Sequence, residues 1–150
     1  MPVVVLDAPP FIPVKPKILI GPAASGVQIE CAANELSVEV EQDETTYETW
    51  CGSYTSYKPE QWTITVSVFQ SYGLTGTLTI GLWNNLRPLV GSVQDFEILP
   101  NGAAVAAPGN PKMTGKCLVK AFPFYKGAVG EPQNFDIEIA VQGVPVFAVA

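Results

Sequence analysis

Trp62-Thr-Ile-Thr-Val-Ser-Val-Phe69 is the stretch that decides the fold. Trp62, Ile64, Val66 and Val68 fall on one side of an extended chain, and Thr63, Thr65 and Ser67 on the other. A period of two, built from β-branched and aromatic residues, suits a strand with one dry face and one wet face. Neighbouring stretches repeat it. Upstream, Leu36, Val38 and Val40 alternate with Ser37, Glu39 and Glu41, and Tyr47, Thr49 and Cys51 alternate with Glu48 and Trp50. Downstream, residues 92–99 and 113–122 read as strands, and Phe135, Ile137, Ile139 and Val141 alternate with Asp136, Glu138 and Ala140. Strands of this kind predict a mainly β chain, an antiparallel β-sandwich or barrel.

Other stretches break the pattern. Leu74, Leu78, Leu82 and Leu86 recur every four residues, as on one stripe of a helix, and Pro88 supplies a stop. Thr75, Thr77 and Thr79 alternate as in a strand, and Gly76 and Gly81 weaken both readings. The leucine spacing predicts one short flanking helix over about 74–86. Pro2, Pro9, Pro10, Pro13 and Pro16 crowd an apolar beginning that can be neither a helix nor a good central strand. Residues 1–26 are therefore read as an extended proline-rich arm, and 27–150 as one domain. Residues 143–150 form an apolar tail without a charge, which needs a docking place.

Charged residues are only 15% of the chain, against about 25% in ordinary domains, and hydrophobic ones are 47%. With apolar residues also at both ends, the composition points to surface buried against further copies of the chain. The net charge of −6 argues against a partner held by phosphate neutralisation, yet it suits a surface past which nucleic acid slides. The charges are segregated. Glu30, Glu35, Glu39, Glu41, Asp43, Glu44 and Glu48 lie in a stretch without a base, and Lys112, Lys116, Lys120 and Lys126 in one without an acid. Two solvated faces account for this. So do two complementary surfaces, Asp43, Glu44 and Glu48 against the four lysines, meeting head to tail between subunits.

The residues offer little for catalysis. Histidine is absent, which removes the commonest general base and every Ser-His or Cys-His nucleophile. Cys31, Cys51 and Cys117 form no CxxC pair, so no zinc site is spelled, and no glycine-rich phosphate loop is present. Glu39 with Glu41 and Asp136 with Glu138 are carboxylate pairs of the type glycosidases use, but such pairs are more often a wet sheet face. The expectation is a protein without enzymatic activity, cofactor, metal or small-molecule substrate. Trp50, Tyr54 and Tyr57 leave open a carbohydrate-binding module, though packing is the better reading of these aromatics. The start lacks the basic region of a signal peptide, and no apolar run approaches the ~20 residues of a membrane helix, so no membrane partner is expected.

The order of the segments carries a resemblance. An acidic strand pair precedes Tyr47-Glu-Thr-Trp-Cys-Gly52 and Pro59-Glu-Gln-Trp-Thr-Ile-Thr-Val-Ser-Val68; Leu78-Thr-Ile-Gly-Leu-Trp-Asn-Asn85 and Phe96-Glu-Ile-Leu-Pro100 follow. Gly115-Lys-Cys-Leu-Val-Lys-Ala-Phe-Pro123 and Phe135-Asp-Ile-Glu-Ile-Ala-Val-Gln-Gly-Val-Pro145 close the series. Over residues 27–146 this resembles the major tail tube protein of long-tailed bacteriophages. The resemblance implies a β-sandwich or barrel with a flanking helix, forming rings, commonly hexameric, that stack into a hollow virion tail. It further implies assembly in the bacterial cytoplasm, contacts with copies of itself and other virion proteins, and transient, non-specific passage of DNA. Glu39, Glu41, Thr63, Thr65, Asp136 and Glu138 are the expected lumen-lining residues. The arm over 1–26 has no counterpart in the family pattern, and the loop over 54–61 is short for it. A capsid decoration protein gripping the shell by the arm is the competing structural role.

Overall fold

The computed structural model describes residues 3–4, 9, 11–12, 15–22, 26–72, 74–75, 78–79 and 81–149, with 74–75 and 78–79 as backbone. The chain enters β1 (Lys17–Ile20) and turns back through β2 (Val27–Gln28). β3 (Ala33–Glu41) passes through Gln42 and Asp43 into β4 (Glu44–Thr49); β5 (Gly52–Tyr57) returns beside β4 and leads into β6 (Gln61–Phe69) beside β3. β7 (Leu74–Thr75) and β8 (Leu78–Thr79) pair with each other, and α1 (Leu82–Leu86) follows, continued by a tighter turn at Arg87–Leu89. β9 (Val93–Leu99), β10 (Lys112–Val119) and the long β11 (Asn134–Ala148) complete the order.

One seven-stranded antiparallel sheet, β2-β1-β9-β10-β11-β6-β3, organises these strands and curls into a half-barrel. Its dry face is the one the alternation predicts. Ile64, Val66 and Val68 of β6 lie beside Phe135, Ile137 and Ile139 of β11, Cys117 and Val119 of β10, and Phe96 and Ile98 of β9. Leu82 and Leu86 of α1, Ile29, Ile18 and Ile20 of β1, and Met113 of β10 complete this cluster. At roughly 1.5–3 kcal/mol for each large apolar side chain buried, this one face supplies the main drive for folding. The mainly β architecture with one short helix is thus the one the sequence implies.

Three segments differ from the reading of the sequence. The helix expected over 74–86 is confined to Leu82–Leu86, and its first half is occupied by β7 and β8. Gly81 is extended (φ −74°, ψ 143°) and caps the helix, so the leucine spacing marks a helix only at Leu82 and Leu86, while the threonine alternation marks the strands. Positions 76, 77 and 80 lie outside the described residues.

The arm drawn over 1–26 does not extend through 17–20. β1 lies inside the sheet between β2 and β9, with Ile18, Leu19 and Ile20 only 2–3% exposed. No proline falls within residues 17–20, so they keep every backbone N–H that pairing with Phe96–Leu99 requires. Gly21, at φ +109°, makes the turn that follows, a conformation other residues adopt only with strain. Val3, Val4, Phe11 and Ile12 are exposed; the other residues before Lys15 except Pro9 lie outside the described ones. The apolar tail, finally, is strand as far as Ala148. Gly143 takes φ +70°, β10 shifts register between Thr114 and Lys116, and β11 continues to Ala148 against Lys112.

Candidate assembly surfaces

The wet face of β3, β6 and β11 is built by register. Glu39 lies opposite Thr63, and Thr63 opposite Ala140; Ser37 lies opposite Thr65, and Thr65 opposite Glu138; Glu35 lies opposite Ser67, and Ser67 opposite Asp136. Directly paired residues share a face, so Glu39, Glu41, Thr63, Thr65, Asp136 and Glu138 are brought to one surface. The five carboxylates of Glu35, Glu39, Glu41, Asp136 and Glu138 are exposed, and the hydroxyls between them are half-buried. Ser67 donates to the Asp136 carboxylate and Ser37 to that of Glu39 (3.3 Å), so hydroxyls space the charges. Glu35, Ser37 and Ser67 belong to this surface although the sequence reading did not single them out. Their parity along the strands, the same as that of Glu39 and Thr65, is the signal that finds them.

Beyond Glu41 and Gln61 the β3–β6 pair leaves the sheet as the β4–β5 hairpin. Every residue from Glu44 to Tyr57 is exposed, on both faces of the ribbon. The stretch over 54–61, expected as a short loop, is in its first part the returning strand β5. Threonines hold the ribbon: Thr46 and Thr55 hydroxyls meet across it (3.3 Å), and Thr49 Oγ1 donates to the Gly52 carbonyl (2.9 Å). Lys58 N–H donates to the Asp43 carbonyl at its base (2.8 Å). Trp50 stands at the tip with its whole surface in solvent (106% exposed). Tyr54 is paired with Tyr47, while Tyr57 is paired with Glu44 on the other face, so these aromatics form no single platform for a sugar.

The four lysines do not form one patch. Lys116 makes an ion pair with Asp95 of the neighbouring strand (2.8 Å), and Lys112 is half-buried at the start of β10. Lys120 and Lys126 lie in the exposed segment after β10, at the end of the sheet opposite the hairpin. There the aromatics interlock. Trp83 stacks on Phe122 (centroids 5.6 Å) and meets Phe124 edge-on (4.9 Å), Tyr72 contacts Phe124 (5.3 Å), and the Arg87 guanidinium lies 5.8 Å from the Trp83 ring centroid. Gln70 Nε2 donates to the Pro123 carbonyl (2.8 Å), and the Tyr72 hydroxyl donates to that of Phe124. Beside this cluster an apolar pocket of about 620 Å³ opens between Phe122, Pro123 and Phe135.

Of the three cysteines, Cys31 and Cys51 are exposed and Cys117 is buried, all with free thiols. Burial, with a smaller contribution from the Asp95 charge, pushes the Cys117 thiol up to about 11. Lys15 donates to Cys31 Sγ (3.2 Å), and this contact holds its ammonium above the usual lysine range. Among the described residues no group of three or more Cys, Asp or Glu side chains is placed to hold a metal ion, and no helix is long and apolar enough to cross a membrane.

No family model matches the chain, and no curated protein matches it in sequence. In fold it is similar to a chain from the virion of a native gene transfer agent particle, with a TM-score of 0.55 at 13% identity. The likeness covers 87% of this chain and 95% of that one. At that identity the two chains share a fold.

Proposed function

We propose that this chain is a structural virion subunit without catalytic activity, which joins copies of itself into stacked rings around a hollow channel, the tube of a viral tail. The observation that carries this reading is the fold likeness, over nearly the whole of both chains, to a component of a virion particle. The residues supply the rest of the argument. Exposed carboxylates on β3 and β11 repel a nucleic-acid backbone, and the hydroxyls of β6 between them offer it neutral contact. That face is the lumen wall in this reading, and DNA passes it without being held. β3 is an outermost strand of the sheet and offers an adjacent copy an open backbone edge, as closure of a ring requires. The partners are copies of this chain and other virion proteins, and assembly takes place in the bacterial cytoplasm.

A capsid decoration role is favoured by one observation, the exposed apolar side chains of Val3, Val4, Phe11 and Ile12, which suit an arm gripping a shell. Negative-stain electron microscopy of the concentrated protein separates the two. Hollow stacked rings support the tube. Monomers or trimers alone contradict it and turn the search to capsid binding.

A further inference from the structure

The chain just before β1 is pinned to its surroundings. The Lys15 carbonyl accepts the Gly102 N–H (3.0 Å), and a Cβ at Gly102 would lie 2.9–3.1 Å from Pro16 and Lys17, so the two segments pass in close contact. The turn between β2 and β3 is tied to the same strand. Ile29 N–H donates to the Ile18 carbonyl (3.1 Å), and the Glu30 carboxylate accepts the Ile18 N–H (3.4 Å). These bonds bring Lys15 and Cys31, 16 positions apart in sequence, side by side.

Across that gap Lys15 Nζ meets Cys31 Sγ at 3.2 Å. Both side chains are exposed, so a small oxidant reaches them without any opening of the fold. Lys17, the next amine along the chain, is held by Glu97 (3.1 Å), which leaves Lys15 as the amine at the thiol. Reacting atoms about 3–3.5 Å apart are within attack range. A peroxide converts an accessible thiol to a sulfenic acid, whose sulfur is electrophilic and condenses with a neighbouring thiol or nitrogen.

We infer that Lys15 and Cys31 are the two halves of a peroxide-driven covalent cross-link, an S–N bond between the Cys31 sulfur and the Lys15 amine. Hydrogen peroxide first transfers one oxygen to the thiol. The O–O bond breaks, sulfur gives up two electrons, and the products are the sulfenic acid and water. The lone pair of the Lys15 amine then attacks sulfur, the S–O bond breaks, and the hydroxide takes a proton from the amine and leaves as water. The unoxidised sulfur holds the proton on Lys15; a sulfenic acid is a poorer acceptor and releases it. A thiol reductant reverses the link by attacking sulfur and returning the amine.

The link closes a loop around β1 and β2, which lie at one edge of the sheet. β2 has only two residues, and its register with β1 rests on Leu19 opposite Gln28 and Ile20 opposite Val27. Closing the loop takes freedom from the opened state of this pair and so holds the edge shut. A subunit made in a reducing cytoplasm acquires the lock on release into an oxidising medium. That timing rests on the proposed function; the chemistry of the link does not.

The full chain with Cys51→Ser, kept dilute and treated with hydrogen peroxide, tests this. The expected product is a single chain lighter by two hydrogens, in which peptide mapping joins Lys15 to Cys31 and dithiothreitol restores the starting mass. Adding Lys15→Arg keeps the charge but supplies no amine to condense, so Cys31 should run on to the sulfinic acid, heavier by two oxygens. Amide exchange over Lys17–Ile20 should slow by on the order of tenfold in the linked chain and stay unchanged in the treated Lys15→Arg protein. Sulfinic acid at Cys31 in both proteins, or a disulfide from Cys31 to Cys117 or to a second copy, overturns the cross-link. A mapped link with unchanged exchange overturns the lock. Neither readout involves assembly, so a failed link leaves the tube reading standing, and missing rings leave the link standing.

Discussion

β3 and β6 pair from Ala33 opposite Val68 to Glu41 opposite Gln61, and β4 and β5 prolong them without a change of backbone type, yet the two halves live in different solvents. In the body, Val66 and Val68 are fully buried beside Ile137. In the hairpin, no side chain from Glu44 to Tyr57 is even half-buried. The lesson is that extended pairing alone does not make a stable element. The body is held by one dry face, and the hairpin by cross-strand hydroxyls and by its continuity with the body. A segment that keeps a Trp, three Tyr and two Glu in solvent has the make-up of half an interface.

The sharpest way to break the comparison is a matched pair of truncations. Ile137→Ala leaves a cavity under the sheet and is expected to cost about 2–5 kcal/mol in urea unfolding. Tyr54→Ala, in the hairpin, is expected to stay within about 0.5 kcal/mol in the unassembled chain. Equal costs would mean that the hairpin is as dry as the body. The loops of the body give the next effect. Asn110, 7% exposed, donates Nδ2 to the carbonyls of Asn101 (3.1 Å) and Val105 (3.2 Å), and its Oδ1 accepts from Asn101 N–H (2.8 Å). Asn110→Ala strands those groups, and a thermal melt should show a loss of about 1–3 kcal/mol.

Alkaline pH sharpens the same contrast. The fold raises the Cys117 thiol to about 11, so it favours the protonated form. That contribution is complete below the unfolded thiol's pKa, about 8.5, and is lost as pH rises through about 11. Cys117→Ala should flatten this part of the stability profile. A thiol reagent at neutral pH should modify Cys31 and Cys51 quickly and Cys117 only on unfolding. The smallest effect on stability belongs to the wet face. Glu39→Lys with Glu41→Lys and Asp136→Lys should change unfolding by less than about 0.5 kcal/mol per site, yet make assembled tubes retain DNA. Normal passage of DNA would remove this face from the lumen.

Much of the body is legible in the sequence, because one dry face writes a period of two into residues 62–69 and 135–141. The same alternation assigns Glu39, Glu41, Thr63, Thr65, Asp136 and Glu138 to the wet side of their strands. β1 is hidden because the prolines before it colour the whole beginning of the chain, although they stop at Pro16. β5 is hidden for the opposite reason. A ribbon wet on both faces has no contrast between alternate residues, so residues 54–57 of this strand read as part of the loop over 54–61. The end of β11 is masked by Gly143, whose positive φ carries the strand on where a glycine in the sequence suggests a stop. The pocket between Phe122, Pro123 and Phe135 combines residues from β11 and the segment after β10, and no local pattern reports such a meeting.

Amide hydrogen exchange, followed in the dilute chain and again after concentration into assemblies, tests the central claim most directly. Slow exchange is expected across β6 and β11 in both states. Fast exchange is expected over residues 44–57 in the dilute chain, falling by at least about tenfold on assembly. A hairpin protected already in the dilute chain, or one left unprotected in the assembled state, would contradict it.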